Sequence, residues 1–319
     1  MQALELIQHN LLSPIVLAFV LGMIATLLHS DLRMPDDIYT ALSIYLLFAI
    51  GLKGGSELAE TELLQFIWPA VATLVMGVFI PVRCYFALRK IGRMSAIDAA
   101  AIAAHYGSVS AVTFIATLNF LERQSIAYEG YMPALVAMLE VPAIVIALAL
   151  ANFATGRVAS WKGAMHEILT GKSVLLLVGG VVVGFIAGHH GYEQVAPFFQ
   201  KPFKGILCLF LLEMGMVAAR RLRDLKTAGI FLISFALVAP VINGMVGVVA
   251  GHYAGLSVGG TTVFGVLCAS ASYIAATAAV RVSLPDANPS YYLTTALAVT
   301  FPFNLTIGIP LFLATAQSL

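Results

Sequence analysis

The chain has 319 residues, 60% of them apolar and only 10% charged, against roughly 45–50% and 25% in a soluble globular domain. This composition excludes an ordinary soluble enzyme, and a formal net charge of +1 excludes the basic surface that would neutralise a nucleic-acid backbone. Cys84, Cys208 and Cys268 lie far apart inside apolar runs, so they offer neither a disulfide framework nor a CxxC metal site and read as small hydrophobic residues.

A helix needs about 20 mostly apolar residues to cross a hydrocarbon core about 30 Å thick. Ten segments approach that criterion: 11–28, 38–52, 63–88, 95–119, 131–153, 173–187, 205–219, 228–250, 256–280 and 291–314. Each must be helical, because an open strand would leave backbone groups unpaired in lipid. The expected fold is an all-α integral membrane protein with ten transmembrane helices. Residues 1–10 carry no Lys or Arg and include Glu5, so the first segment reads as a helix and not as a secretory signal.

Short loops rich in Lys and Arg stay cytoplasmic. Those after helices 3, 5 and 7 hold Arg89, Lys90 and Arg93; Arg157, Lys162 and Lys172; and Arg220, Arg221, Arg223 and Lys226. The other side has only Lys53, Arg123, Lys201 and Lys204. Both termini therefore face outward, and the connector 154–172 faces the cytoplasm. It is too short for a core of its own and serves as a plain link or a regulator's dock.

Residues 1–153 and 173–319 share landmarks. Gly51 pairs with Gly215, Pro81-Val82 with Pro240-Val241, Ser108-Val109-Ser110 with Ser270-Ala271-Ser272, and Pro142 with Pro302, at spacings of 159 to 164 residues. Each half holds five crossings, and an odd number makes the second copy enter from the opposite side, so the repeat is inverted. Such a repeat sets its broken helices face to face near the midplane. Here the fourth segment of each half is interrupted, at Ser108-Val109-Ser110 and at Ser270-Ala271-Ser272. Half-helices starting at Ser108 and Ser270 would carry capping hydroxyls and free N–H groups, which suit a small anion. Nearby hydroxyl and carbonyl oxygens suit a hard monovalent cation. The competing reading of Ser-x-Ser is close helix packing through small residues.

Ionisable groups within apolar spans point to function. Glu140 precedes Pro142, which removes a backbone donor and exposes carbonyls beside the carboxylate. Its counterpart Thr300 precedes Pro302 and is followed by Asn304, giving Glu140, Thr300 and Asn304 as oxygen ligands or supports of a cation site, or a core-bonded Glu140. Glu213 is assigned an ion pair, a subunit contact or a substrate role. Asp98 reads as part of a helix cap with Ser95, Arg83 as extending to the interface, and His105 as a neutral, hydrogen-bonded group more than a proton relay. No Gly-x-Ser-x-Gly, HExxH or phosphate loop is present, which disfavours an enzyme.

The stretches His105-Tyr106-Gly107-Ser108-Val109-Ser110-Ala111-Val112-Thr113-Phe114, Ala269-Ser270-Ala271-Ser272-Tyr273-Ile274-Ala275-Ala276 and Asn288-Pro289-Ser290-Tyr291-Tyr292-Leu293-Thr294-Thr295-Ala296-Leu297, with Phe301-Pro302-Phe303-Asn304, closely resemble the sodium-dependent bicarbonate transporter family known from cyanobacteria, the SbtA-type permeases. The resemblance spans nearly the whole chain. It implies a sodium/bicarbonate symporter of ten helices, similar in architecture to bile-acid-type sodium symporters. Helices 1, 2, 6 and 7 would form a gate or panel, and helices 3–5 and 8–10 a mobile core moving by an elevator mechanism.

Bicarbonate would bind at Gly107, Ser108, Val109 and Ser110 with Ala269, Ser270, Ala271 and Ser272. Sodium, the coupling ion, would bind near Ser110, Glu140, Ser272, Thr300 and Asn304, with no organic cofactor. The resemblance further implies a homotrimer in a bacterial inner membrane and a PII-like regulatory protein at the cytoplasmic face. The rival expectations are a sodium/proton antiporter, a sodium-coupled carboxylate symporter, and a membrane receptor or enzyme that binds the anion without moving it.

Overall fold

The structure, a computed structural model, describes residues 3–155, 165–166 and 169–319. The helices are α1 (Ala3–Leu11), α2 (Pro14–Leu27), α3 (Asp36–Ala59), α4 (Leu63–Lys90), α5 (Ala96–Gly107), α6 (Ala111–Arg123) and α7 (Met132–Thr155). They continue as α8 (Lys172–Gln200), α9 (Phe203–Arg221), α10 (Leu225–Tyr253), α11 (Val258–Ala269), α12 (Ala275–Ser283) and α13 (Pro289–Ala316). No strand occurs among the described residues. Most of the central connector lies outside them, including Arg157 and Lys162.

Polar caps set several of the boundaries, because a side-chain oxygen satisfies an N–H that the first turn leaves without a partner. Ser13 Oγ accepts from the Val16 N–H, with Pro14 opening α2. Ser95 caps α5 through the Asp98 N–H, Ser257 caps α11 through the Gly260 N–H, and Asn288 caps α13 through the Ser290 N–H. Asp98 belongs to its cap as expected: Ser95 Oγ donates to Asp98 Oδ2 at 2.7 Å, while Asp98 Oδ1 accepts from the Asn288 N–H at 2.9 Å.

Seven helices among the described residues are long and apolar enough to cross a membrane, or eight if α1 and α2, bent by 61°, count as one span. The difference from ten has two local causes. Phe203–Tyr253 runs on for 51 residues through a short 3-10 turn at Leu222–Asp224, twice the length one crossing needs. The ninth expected segment is divided into α11 and α12, each too short to span alone. The separate α1 was not expected.

Packing is closest within two sets of helices. In one, α2 lies along α9 and α3 along α8; in the other, α4 packs on α5 and α7, and α10 on α11 and α13. Glycines permit the first set's contacts. A methyl group on Gly22 would meet the Leu212 carbonyl oxygen of α9, and one on Gly184 would meet the Leu52 carbonyl oxygen of α3. In the most apolar 18-residue stretch of Ala96–Arg123, 94% of the residues are buried, against 22% in that of Lys172–Gln200. The broken segment is therefore central, and α8 leaves most of its surface to its surroundings.

Arg83 departs from expectation. Its guanidinium turns inward to Asn243 Oδ1, at 2.9 Å from Nε and 2.6 Å from Nη2, joining α4 to α10. A buried amide oxygen offers charge-assisted hydrogen bonds that an extended side chain would forgo.

Candidate functional site

Helix α5 ends at Gly107, and Ser108 (φ −81°, ψ 174°) is extended; α11 ends at Ala269, and Ser270 (φ −78°, ψ 166°) is extended in the same way. The two breaks touch. Ser110 N–H donates to Ser270 Oγ at 3.0 Å, and Ser272 N–H donates to the His105 carbonyl at 2.7 Å.

The following half-helices start later than the sequence suggested. Ser108 and Ser270 close the preceding helices; Ser110 caps α6 by accepting from the Thr113 N–H, whereas Ile274 stands at the start of α12 and Ser272, two residues earlier, accepts from the Ala276 N–H. The physical reason is length: three non-helical residues in one break and five in the other separate the helix ends, so only the last serine of each motif reaches the next first turn.

A cavity with about 30 Å³ of free space lies beside the breaks, room for about two water-sized groups. Its walls bring together Val109, Ser110, Ser272 and Glu140 of the expected residues, with Tyr273, with Ala111, Val112 and Ile274 at the N-terminal turns of α6 and α12, and with Ile115 on α6. The remaining wall comes from the other helix set: Ser43, Leu46 and Leu47 on α3, Ser173 on α8 and Phe210 on α9. The chamber thus lies at the seam between the sets. Helix N-termini present free N–H groups and partial positive charge, and Glu140, only 5% exposed, supplies a carboxyl group with oxygen acceptors.

Other expected residues stand behind this wall. Ser108 and Ser270 are 1% exposed. Ser270 Oγ donates to the Leu267 carbonyl at 2.9 Å, whereas Ser108 Oγ is buried without a partner. Gly107 fits tightly between Ala143 and Pro81. Asn304 Nδ2 donates to the Ala269 carbonyl at 2.8 Å and leaves Oδ1 buried and unbonded, an acceptor of the kind a hard cation takes. Thr300 is engaged elsewhere: it donates to the Ala236 carbonyl at 2.7 Å and lies 2.6 Å from the Tyr106 hydroxyl.

His105 is fully buried, with Nδ1 2.7 Å from the Ala101 carbonyl and Nε2 3.1 Å from Thr277 Oγ1, so it ties α5 to α12. Glu213 pairs with Arg220 at 3.3 Å and keeps Oε2 unbonded. No cluster of three or more His, Cys, Asp or Glu residues able to hold a metal occurs among the described residues.

Sequence reasoning missed the α3, α8 and α9 wall and Tyr273, whose buried hydroxyl is unbonded and which lines the chamber. Ser43 and Ser173 are single hydroxyls in apolar runs, with no pattern to mark them. It also missed the π-helical widening of α13 over Thr294–Thr300 and Asn304–Gly308. The signal was Pro302, which withdraws a backbone donor between the two widened stretches.

The fold and this chamber define a multi-pass helical membrane protein with paired helix breaks around a small, mostly apolar chamber that holds a few hydroxyls and one carboxyl group. The chain belongs to the Na+-dependent bicarbonate transporter superfamily, whose family model matches residues 14–317. That is a family of transporters and not a class of enzymes, and the match covers all the motif residues on which the resemblance rested. A comparison with curated proteins gives no match.

Proposed function

We propose that the chain is a secondary active transporter that imports bicarbonate together with sodium. The observation that carries this reading is the chamber at the seam, where two half-helix N-termini, Ser110, Ser272 and Glu140 meet. Bicarbonate is held at the breaks Gly107–Ser110 and Ala269–Ser272 by the N–H groups that open α6 and α12 and by the hydroxyls of Ser108, Ser110 and Ser272. Sodium takes oxygen ligands among Ser110, Glu140, Ser272 and Asn304, with Thr300 positioning the helix that carries Asn304. Either ion alone leaves an uncompensated charge at low dielectric, so each raises the other's affinity.

Ten crossings in a five-plus-five inverted repeat account for the matching dihedral angles of Ser108 and Ser270. They also account for the pairing of Gly22 and Gly215 between α2 and α9, mirrored by Gly184 and Gly55 between α8 and α3. On this reading α2, α3, α8 and α9 are the panel, and the other set is the core that carries both ions across by an elevator movement. The bias of Lys and Arg among the loops supports outward termini in a bacterial inner membrane. Homotrimer assembly and a PII-like regulator rest on the family resemblance alone.

The test is uptake of labelled bicarbonate by proteoliposomes along an imposed sodium gradient. Uptake that stops when the gradient is collapsed is expected. Gradient-independent or absent uptake rejects symport. Proton release driven by sodium without bicarbonate would favour the antiporter, with Glu140 as its titrating group.

A further inference from the structure

A second cavity of about 300 Å³ lies at the same seam, lined by α3, α6, α8 and α9 and by the residues around Gly130. It takes no part in the site described above, yet one residue, Ile115, lines both chambers. Ile115 is 2% exposed, so its buried side chain forms part of the wall of each.

The charges around this cavity are distributed unevenly. Glu122 on its wall is satisfied twice: Lys204 Nζ lies 3.0 Å from Oε2, and the Tyr128 hydroxyl donates to Oε1 at 3.2 Å. Burial and the adjoining Glu122 carboxylate both push the Tyr128 phenol above its ordinary range, so it stays a donor. Lys53, half-buried on α3, has no ion-pair or hydrogen-bond partner for its ammonium among the described residues. Glu57, one turn further along α3, rests against Gly130 outside the lining, and its carboxylate, which is felt by the lining phenols Tyr128 and Tyr192, makes no ion pair with Lys53. A half-buried ammonium lining this cavity, with the lining carboxylate Glu122 already paired, leaves one cation on the wall without an ion-pair partner among the described residues. Such a charge attracts a small anion and is screened by salt.

We propose that this second cavity is a capture site for a small inorganic oxyanion, with Lys53 as its recruiting cation and Ile115 as the partition through which the anion passes to the chamber at the helix breaks. The inference rests on the transport reading for the anion's identity, but the cavity's preference for negative charge is independent of it.

Two measurements on the full-length chain test it. In proteoliposomes at low ionic strength, Lys53→Met raises the KM for bicarbonate about threefold and Lys53→Glu raises it further, both with little change in maximal rate or in the sodium activation curve. The difference disappears at high ionic strength. Equal KM values for Lys53→Met and the unaltered chain at low ionic strength overturn the proposal.

The second measurement needs no transport. A cysteine is placed on the cavity wall by Leu118→Cys, in a background carrying Cys208→Ser. It reacts several-fold faster with an anionic than with a cationic methanethiosulfonate reagent, and Lys53→Met removes that preference. A rate ratio indifferent to Lys53 overturns the proposal. Failure of bicarbonate uptake with the thiol preference intact overturns the transport reading and leaves an anion-attracting cavity.

Discussion

The Ser110 N–H donates to Ser270 Oγ across 3.0 Å, but the N–H at the matching place in the other break, Ser272, bypasses Ser108 and donates to the His105 carbonyl at 2.7 Å. The breaks are alike in sequence and in the dihedral angles of their first serines, yet only one spends its serine hydroxyl on the other. Ser270 is thereby a structural tie, and Ser108 retains an unbonded oxygen in the protein's interior.

That asymmetry separates two substitutions. Ser270→Ala leaves the Ser110 N–H buried without an acceptor and destabilises the fold by about 1–3 kcal/mol, read as a lowered melting temperature in detergent. Ser108→Ala removes no bond within the protein, so the melting temperature holds while bicarbonate affinity falls. A lower melting temperature for Ser108→Ala with unchanged affinity would reverse these roles.

Glu140→Gln keeps the shape of the chamber wall and removes the carboxyl group's ability to carry a charge opposite a bound cation. The expected result is a sodium activation curve displaced to about tenfold higher concentration, with bicarbonate uptake preserved once sodium saturates. An undisplaced curve places sodium elsewhere. Uptake lost at every sodium concentration points to the exchange mechanism, in which the carboxylate itself must titrate.

Thr300→Val tests ligand against support. Because the Thr300 hydroxyl is held between the Ala236 carbonyl and the Tyr106 hydroxyl, its loss lowers stability by about 1–2 kcal/mol without altering the sodium dependence measured at a temperature where the variant is folded. A sodium curve that shifts without loss of stability would make Thr300 a ligand.

Replacing sodium with choline lowers bicarbonate affinity by at least about tenfold, and removing bicarbonate lowers sodium affinity by the same factor, because coupling between two bound ligands is reciprocal. Equilibrium binding by calorimetry in detergent measures both. Independent affinities would remove charge compensation as the basis of coupling.

Gly215→Val probes the close approach of α2 and α9. The added side chain collides with the Phe19 carbonyl, and the fully packed contact has no room to absorb it. Gly179→Ala, which meets nothing within 4 Å, is its control. The first variant melts well below the unaltered chain and the second does not. Equal melting would mean that the two helices can separate without penalty.

By itself the sequence determined that this chain is helical and membrane-embedded, because long apolar runs admit no other backbone state in lipid. It also marked where the chain breaks, since Ser-x-Ser and Gly interrupt otherwise continuous apolar segments at matching places. Glu140 and Asn304 were legible for the same reason, as polar groups with a high cost of burial in apolar surroundings.

Only the tertiary structure decided which serine caps and which ties, that Thr300 answers to Tyr106 and Ala236, that Arg83 turns inward to Asn243, and that Ser43, Phe210 and Ser173 complete the chamber. Each of these depends on a partner between about 60 and 200 residues away or on another helix, and periodicity and motif spacing report only on a residue's own segment. The direction in which a side chain satisfies its hydrogen bonds is fixed when distant helices meet, and that information is not local to any stretch of the chain.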